Sequence, residues 1–366
     1  MKNLIFFYPS YERGGVTKIL INLLKNHNDK NITIHIISSV NFLKNIKKKN
    51  IFFHKTKKKF KLSFLPNRFV SSLNSMFTLS NLINRLNGAT LIHSMQSNIA
   101  AILICILKNK KIIIRNSENP IFSAVNSESK FTAFIVIILK FLFYNFSVGA
   151  ITNSLGSAKS LKLFFFNKKK VKQIYNPYIN KINKKKYKKK KYFLNIGRLR
   201  KQKDHVTLLK AFQKFLIKHD KYKLIILGHG NLENELKLLA KKLKISKNVI
   251  FKGWVKNTLP YLKKSKFFVL SSVYEGLGNV LLDAINYDVP CISTNCPSGP
   301  KEILLNGRGG YLVKTKSSDK LANRMTYCAK NYNKVMVKNQ VAKQKLNRFF
   351  ILNNSKKYFE YLKSFY

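Results

Sequence analysis

Residues 271–303, SSVYEGLGNVLLDAINYDVPCISTNCPSGPKEI, carry the strongest fold signal in this chain of 366 residues. They predict a strand end, a glycine-rich turn that opens a helix, a second strand and a second glycine turn. Glu275 precedes the helix, and Asp283 follows eight residues later within it. Backbone N–H groups at a helix start can face an anion. An acid beside such an anion site suits a ligand with phosphate at one end and hydroxyls at the other, as in a nucleotide sugar.

This segment resembles the E-x7-E signature of the retaining GT-B glycosyltransferases, with Asp283 in place of the second Glu. That family, glycosyltransferase group 1 or family 4, includes enzymes of bacterial polysaccharide and lipopolysaccharide synthesis. Four further elements follow the family's order along nearly the whole chain, and the C-terminal half matches more strongly. They are the glycine loop Arg13-Gly14-Gly15-Val16, the diphosphate element NIGRLRKQKD at 195–204, and the strand markers at 224–230 and 249–255.

The resemblance implies an α/β GT-B fold, in which two Rossmann-like domains enclose a donor cleft. Apolar runs that alternate with helical patterns independently predict parallel α/β layering. The predicted parts are an N-terminal acceptor domain, a lysine-rich linker, a C-terminal nucleotide-sugar domain and a helix that crosses back to the first domain. Their bounds are 1–178, 179–191, 192–345 and 346–366.

Local patterns predict the main secondary-structure elements. Strands are expected at 4–7, 32–38, 91–93, 111–115, 150–153, from 192, at 223–227 and at 249–251. Helices are expected at 16–24, 204–218, 232–243 and 353–366. Residues 41–75 are rich in Lys, Asn and Phe without clear periodicity, and they predict a long loop with one short strand in the part of the fold that meets the acceptor.

The family's roles transfer to individual positions of this chain. The resemblance implies that Arg198 and Lys203 bind the donor diphosphate and that Glu275 lies near the reacting sugar carbon. Charge that develops on a leaving diphosphate must be met by fixed cations or by a metal, and no D-x-D motif stands in a plausible metal position. We therefore expect no metal and no cofactor beyond a UDP-sugar or GDP-sugar donor. The implied donor-binding residues are Gly14, Gly15, Gly278, Asn279 and Asp283.

Two residues of the first domain are candidates for acceptor binding. Many relatives carry His-x-His after the strand that ends near His93, whereas Met95 takes the second place here. His93 is therefore either an acceptor contact or a structural residue. Arg115 ends a strand and is expected either to meet an acceptor phosphate or to lie on the surface. The turn at 298–302 resembles one in members that transfer N-acetylhexosamines onto lipid-linked sugars.

Composition limits the protein's class and its partners. The 45% hydrophobic content excludes global disorder, although the formal net charge is +56. Only nine of the 70 basic residues are Arg, and Lys is a solvated point charge rather than a close reader of phosphates or bases. An AT-rich genome would also produce this bias. Such a surface is drawn to anionic lipid or nucleic acid. Four cysteines without C-x-x-C spacing argue against disulfide or zinc frameworks.

The longest apolar run, residues 131–146, falls short of a bilayer span and contains Lys140. We favour a buried helix of the first domain, with a membrane-dipping helix as the alternative. The apolar run at 4–8 is too short for a signal peptide. The expected location is therefore cytoplasmic, peripheral on the inner face of the cytoplasmic membrane.

These features together predict a retaining hexosyltransferase. It would move a hexose or N-acetylhexosamine from a nucleotide diphosphate sugar to a hydroxyl of a growing, lipid-linked glycan. The expected partners are that donor, a glycan acceptor and an anionic membrane surface, with no specific nucleic acid. Two alternatives remain open at this point. They are a sugar-nucleotide 2-epimerase of the same fold and a basic nucleic-acid-binding protein, the latter suggested by charge alone.

Overall fold

The structure is a computed structural model that describes residues 2–9, 14–42, 46, 48–56, 67–126 and 129–366. The chain forms two compact units. The first comprises Met1–Tyr178 together with Phe349–Tyr366, and the second comprises Ile179–Arg348. Each unit is built on one parallel β-sheet flanked by helices.

The first unit has a seven-stranded sheet in which all pairings are parallel. Its strands are β1 (Lys2–Phe7), β2 (Ile32–Ser38), β3 (Ile51–Lys55), β4 (Ala89–Ser94), β5 (Lys111–Asn116), β6 (Gly149–Thr152) and β7 (Val171–Gln173). Their order is β3-β2-β1-β4-β5-β6-β7. The chain runs outward from β1 in one direction and then from β4 in the other, so the topological switch point lies between β1 and β4.

Six helices of the first unit connect these strands. They are α1 (Gly15–Lys25), α2 (Asn67–Arg85), α3 (Asn98–Leu107), α4 (Pro120–Val125), α5 (Lys130–Phe143) and α6 (Leu155–Leu161). The amphipathic α1 buries Leu20 and Leu24. The start of α4 has both usual signals, because the Asn119 side chain accepts from two backbone N–H groups and Pro120 takes the first helical position.

The structure differs from the sequence prediction at residues 41–75. The short strand is present as β3, but α2 already begins at Asn67, so the predicted loop is shorter than expected. Polar serines and asparagines at the start of α2 weaken its periodicity, which explains the missed helix. Residues 43–45, 47 and 57–66 of this span lie outside the described residues.

The predicted burial of the apolar run 131–146 is wrong. The run forms α5 and a following 3-10 turn, and Ala133 is the one buried residue of the helix. Ile137 and Phe143 pack partly against the core, whereas Phe131 and Phe134 point outward. A helix that is apolar on all sides has no pattern that tells which side is buried.

The second unit has a six-stranded parallel sheet with the order β10-β9-β8-β11-β12-β13. Its strands are β8 (Lys190–Ile196), β9 (Lys223–Leu227), β10 (Val249–Phe251), β11 (Ser265–Leu270), β12 (Cys291–Thr294) and β13 (Tyr311–Val313). Its helices are α7 (His205–Leu216), α8 (Glu233–Lys242), α9 (Leu259–Lys264), α10 (Asn279–Asn286), α11 (Pro300–Ile303), α12 (Ser318–Lys330) and α13 (Tyr332–Gln344). The switch point lies between β8 and β11.

The lysine-rich segment before β8 is attached to the second unit. The backbone N–H of Asn183 donates to Asn286 Oδ1 at 2.9 Å, and Asn286 Nδ2 donates to the Lys181 carbonyl at 3.1 Å. Lys189 Nζ donates to the Tyr287 carbonyl at 2.9 Å, and burial lowers the pKa of this lysine to about 8. These bonds fasten the segment to the end of α10.

The last helix, α14 (Ile351–Lys363), belongs to the first unit. It buries Tyr358, Phe359 and Leu362, and the Tyr361 hydroxyl donates to the Lys170 carbonyl at 2.9 Å. All four cysteines are free and buried. Among the helices that the structure describes, none has both the length and the apolar character that crossing a membrane requires.

Candidate active site

The candidate site lies where β8 and β11 end, at the switch point of the second unit. The loop after β8 and the loop after β11 are joined by hydrogen bonds. Val273 N donates to the Gln202 carbonyl at 2.8 Å, and Gln202 Nε2 donates to the Tyr274 carbonyl at 3.0 Å. Ser271 Oγ donates to the Lys203 carbonyl at 2.7 Å. Because these bonds span two adjacent strands, the two loops hold one another in register.

Lys203 and Glu275, one from each loop, form an ion pair. Lys203 Nζ lies 2.5 Å from Glu275 Oε1, and the side chains are 15% and 8% exposed. Ser272 Oγ donates to the same carboxylate oxygen at 2.6 Å. The Ser272 carbonyl in turn accepts from Thr294 Oγ1 at 2.6 Å. The Glu275 carboxylate is therefore held by the Lys203 ammonium group and the Ser272 hydroxyl. The backbone of Ser272 is in turn hydrogen-bonded to β12.

Two basic residues of the diphosphate element differ in their surroundings. Arg198 is half-buried in the loop directly after β8. Lys203 is largely buried, because it packs beside Glu275. An ammonium group has three N–H donors, and the bond to Glu275 uses one of them. The remaining donors can serve a phosphate oxygen without breaking the ion pair.

Other residues in and next to the diphosphate element hold the loop after β8 in place. Asn195 Nδ2 donates to the Val269 carbonyl at 2.8 Å, and His205 Nε2 lies 3.0 Å from Asn195 Oδ1. Since that amide oxygen can only accept, His205 Nε2 carries the proton. Burial, helped by the charge of Lys203, lowers the pKa of His205 to about 3. Asp204 caps α7 by accepting from Thr207 N at 3.2 Å. This part of the motif is structural.

Two glycines of the strand marker at 224–230 allow the loop after β9 to close on the loop after β8. A Cβ atom at Gly228, where φ is +140°, would lie 1.9 Å from the Gly197 carbonyl oxygen. At Gly230 it would lie 2.3 Å from the Leu199 carbonyl oxygen. The glycines of this marker are therefore required because the two loops pack closely beside Arg198. The sequence prediction did not identify this requirement.

The start of α10 contains the predicted donor-binding residues. Gly278 precedes the helix in the left-handed region with φ of 84°, and Asn279 is the first helical residue. Asp283 lies half-buried one turn further along. Gly299 supports this loop from behind, because a Cβ there would lie 2.2 Å from the Leu277 carbonyl oxygen. Donor binding by Gly278, Asn279 and Asp283 stays a prediction.

Sequence reasoning missed the polar residues that hold Glu275 in place. These are Gln202, Ser271, Ser272 and Thr294, and each makes at least one hydrogen bond between loops or strands around the ion pair. A signal was present in the chain, since two serines directly follow an apolar strand. Hydroxyl groups at the carboxyl end of a buried parallel strand lie where such sheets bind their ligands.

The predicted glycine loop of the first unit is exposed. Gly14 precedes α1 and Gly15 begins it. Arg13 lies outside the described residues. No atom of the described residues lies within 4 Å of the place where a Cβ on Gly14 would stand, and its φ of 173° suits any residue. Packing in this unit therefore does not require glycine there, and its role toward a donor stays a prediction.

His93 and Arg115 lie in the interior of the first unit. His93 is 0% exposed; its Nδ1 lies 3.0 Å from the Ile113 carbonyl and its Nε2 lies 2.7 Å from the Tyr358 hydroxyl. Burial lowers its pKa to about 3. Arg115 is 3% exposed and donates to Ser117 Oγ and, at 2.7 Å, to Asn176 Oδ1. This geometry gives no support to acceptor binding by His93 and excludes the surface alternative for Arg115.

Comparison with known proteins finds a family match for the second unit. Residues 179–345 match the model of the family described as glycosyl transferases group 1. These residues make up somewhat less than half of the chain, and over them the chain is similar to that family. The motif-based family assignment is thus confirmed for the unit that carries the ion pair.

Two curated relatives are similar over more than half of the chain. An uncharacterized glycosyltransferase of Methanocaldococcus jannaschii is 33% identical over 58% of this chain and 56% of its own length. A Campylobacter jejuni N-acetylgalactosaminyltransferase, named for a diphospho-undecaprenol acceptor, is 29% identical over 61% and 62%. The chain therefore spans less than two thirds of either relative. Shorter matches include enzymes named for lipopolysaccharide and amylovoran synthesis.

Solved structures confirm the predicted fold. The Anabaena protein HepE, in complex with UDP-glucose, has a TM-score of 0.79 at 17% identity, and the alignment covers 99% of both chains. At this identity the likeness shows the GT-B fold alone. The comparisons give no support to the 2-epimerase alternative or to the nucleic-acid-binding one.

Proposed function

We propose that the protein is a retaining glycosyltransferase of cell-surface polysaccharide or lipopolysaccharide synthesis. It moves a hexose or N-acetylhexosamine from a UDP-sugar or GDP-sugar to a hydroxyl of a growing, lipid-linked glycan at the inner face of the cytoplasmic membrane. The observation that carries this proposal is the Lys203–Glu275 ion pair, which joins the two family motifs at the switch point of the second unit.

The charges at this site suit departure of a nucleoside diphosphate. The bond between the anomeric carbon and the phosphate oxygen breaks, and the electron pair leaves with the diphosphate. Arg198 and the free N–H donors of Lys203 meet the growing negative charge, a task worth several kcal/mol when the donors are fixed in advance. The Lys203 loop is held by the bonds from Val273 and Ser271, so the cation needs little rearrangement as charge develops.

The carboxylate supplies the opposite charge. An anomeric carbon that loses its leaving group becomes oxocarbenium-like, and the fixed Glu275 carboxylate stabilises that positive charge or holds the sugar hydroxyls. The acceptor hydroxyl attacks the face that the diphosphate leaves, and its proton passes to a departing phosphate oxygen. The products are a glycoside of retained configuration and a free nucleoside diphosphate. No protein base is required in this course.

The relatives support the substrate classes. HepE is seen with UDP-glucose, and the Campylobacter jejuni enzyme is named for N-acetylgalactosamine transfer to a glycan on diphospho-undecaprenol. These properties belong to those proteins. The UDP-sugar seen with the first and the diphospho-undecaprenol-linked glycan in the name of the second are the donor and acceptor classes to try first with this chain.

The test is a transfer assay with defined substrates. The protein is incubated with radiolabelled UDP-hexoses, UDP-N-acetylhexosamines and GDP-hexoses, each with a diphospho-undecaprenol-linked glycan. We expect label to enter the lipid fraction in step with release of nucleoside diphosphate, and NMR of the product to show the donor's anomeric configuration. Inversion would overturn the retaining course. Conversion of the donor to its 2-epimer without acceptor would show an epimerase instead.

A further inference from the structure

Helix α5 presents apolar side chains on the side that faces away from the core of the first unit. They recur at the spacing of one helical face and form a continuous exposed stripe, which we call the α5 face. Its members are Phe131, Phe134, Ile135, Ile138, Phe141 and Leu142. Phe131 is 74% exposed and Phe134 is 61% exposed. Single exposed apolar residues are ordinary, but a contiguous patch of this kind marks an interaction site.

The inner side of the same helix carries the charge. Lys140 Nζ donates to the Pro120 carbonyl at 3.5 Å and lies 6.0 Å from the centre of the Phe164 ring. Burial lowers the pKa of this lysine. The α5 face itself contains no charged side chain. The usual arrangement of a surface helix, with polar groups outward and apolar groups inward, is therefore reversed.

Basic residues surround the α5 face. The exposed Phe166 ring extends it by packing edge-on against Phe141, with centroids 5.6 Å apart. Exposed Lys168 and Lys169 follow directly, and exposed Lys130 begins the helix. Residues 98–170 as a whole contain ten lysines and only two carboxylic acids. The apolar patch thus has a positive border.

We propose that the α5 face docks onto the interfacial region of an anionic lipid bilayer, with the helix lying parallel to the membrane plane. The 14 residues of α5 span about 21 Å at 1.5 Å per residue, which is shorter than a hydrocarbon core of about 30 Å. The phenylalanine rings enter the boundary between headgroups and acyl chains, while the bordering lysines meet the anionic headgroups.

Charge argues against a second copy of this chain as the occupant. Two copies that met through the α5 face would bring two positive borders together, each on a chain of net charge +56. A membrane of anionic lipid meets the apolar patch and its border at once. The inference is independent of the proposed transfer reaction, because docking needs neither donor nor acceptor.

The first experiment measures flotation of the protein with vesicles of phosphatidylglycerol and phosphatidylcholine. At low salt, charge and apolar contact both contribute. At about 1 M salt the Debye length falls to about 3 Å, so attraction by charge alone is lost. We expect a substantial fraction of the wild-type protein to stay bound at high salt. Complete release would overturn insertion of the α5 face.

Matched variants locate the contact. Phe134→Ser/Ile138→Ser is expected to weaken binding at low salt by about tenfold or more and to abolish the salt-resistant fraction, because apolar area drives interfacial binding. Leu238→Ser/Val337→Ser removes two apolar residues of α8 and α13 that are even more exposed, and this variant should bind like wild type. Equal binding by both double variants would overturn the proposal. All four side chains are exposed, and thermal melts followed by circular dichroism check the folds.

A depth measurement keeps the proposal testable if the serine variant does not fold. Phe134→Trp in a Trp254→Phe background places the single tryptophan of the chain on the α5 face, and Leu238→Trp in the same background is the control. Lipids brominated near the headgroup end of the acyl chain should quench the first fluorophore and not the second. Absence of quenching, or concentration-dependent self-association that Phe134→Ser/Ile138→Ser removes, would overturn membrane docking.

Discussion

The two switch points of this protein have the same sheet geometry and different electrostatics. In the second unit, the loops after β8 and β11 bring together a cation and an anion in the Lys203–Glu275 pair. In the first unit, His93 of β4 lies beside the switch point; burial and the charge of the nearby Arg115 keep it neutral, and it is bonded to Tyr358 of α14. The switch point of the second unit holds a pair of opposite charges, and that of the first unit is in contact with α14.

This contrast explains why the motifs of the second unit are easier to recognise. Chemistry restricts a charged site to particular residue types at particular places, so Arg198, Lys203 and Glu275 stand in a recognisable pattern. A buried contact such as that of His93 with Tyr358 requires only a good fit between its parts. His93 fits Tyr358, which lies 265 residues away in the sequence, and no local pattern can reveal such a pair.

The largest expected effect is loss of turnover at the ion pair. Glu275→Gln keeps the shape of the side chain and removes its charge, and we expect turnover to fall by about 10² or more, the scale of losing one fixed charge-stabilising group. Lys203→Met should fall by a similar factor. Release of nucleoside diphosphate measures both. Lys201→Met changes an exposed lysine of the same turn and should keep wild-type turnover.

The ion pair also affects stability, which separates chemistry from folding. Each single variant leaves an unpaired charge or a polar group in a largely buried place, at a cost of several kcal/mol at most. The double variant Lys203→Met/Glu275→Gln removes both charges and should recover part of that stability while staying inactive. Wild-type turnover in either single variant would show that the Lys203–Glu275 pair is not part of the active site.

The second prediction concerns the switch point of the first unit. The Ile113 carbonyl can only accept, so His93 Nδ1 carries the proton and Nε2 accepts from the Tyr358 hydroxyl. Tyr358→Phe leaves Nε2 buried without its donor, and we expect a loss of about 1–3 kcal/mol in the free energy of unfolding. We expect Tyr358 to make no contact with the transition state. Turnover at temperatures where the variant is folded should therefore change by less than about twofold.

A second tyrosine of α14 provides the control for Tyr358→Phe. Tyr361→Phe removes a bond to the Lys170 carbonyl in a less buried place and should cost less. If Tyr358→Phe instead abolished turnover in a fully folded protein, the contrast between the two switch points would fail. His93 would then act on the substrate.

The third prediction is acid sensitivity from buried histidines in both units. Burial lowers the pKa of His93 and of His205 to about 3, against about 6.5 in the unfolded chain. Between these values the unfolded state binds more protons, so stability falls as pH drops from about 6.5 toward 3. Each histidine contributes up to about 1.4 kcal/mol per pH unit. Urea midpoints from pH 7.5 to 5 measure this slope.

Single substitutions test both sites for this slope. His93→Gln and His205→Gln should each flatten the pH dependence by close to one proton, because each removes one group that titrates only on unfolding. An unchanged slope in either variant would mean that its histidine is accessible to protons in the folded state. Such a result at His93 would contradict its buried contact with Tyr358 directly.

Local sequence patterns could predict much of the sheet framework but not what covers it. Strands 32–38, 223–227 and 249–251 match β2, β9 and β10, because short apolar runs between turn residues are typical of buried parallel strands. The three-residue strand β7 was missed, and α5 was assigned to the wrong environment. Burial of an element depends on its neighbours in space, which a uniformly apolar run does not reveal.

The candidate site shows the same limit at the level of single residues. Glu275 and Lys203 could be found because both belong to motifs, but their mutual contact, across 72 positions, could not. The supporting bond from Ser272 was missed because serine is common at strand ends. Gly228 was noticed only as part of a marker, whereas the close approach to Gly197 that requires glycine there depends on strand pairing.

The smallest expected effect is that of metal removal. If side chains meet the charge of the leaving diphosphate, EDTA should leave turnover within about twofold of its untreated value, because the cations that stabilise it are covalently part of the protein.

The comparison of variants sharpens this test. Loss of Arg198 or Lys203 in a site that uses only side chains cannot be repaired by magnesium or manganese, so Arg198→Ala and Lys203→Met should stay inactive across added concentrations of either ion. A strict metal requirement in the wild type, or rescue of either variant by metal, would mean that a bound cation performs the work assigned here to Lys203 and Arg198. The ion pair with Glu275 would then serve to position the loop.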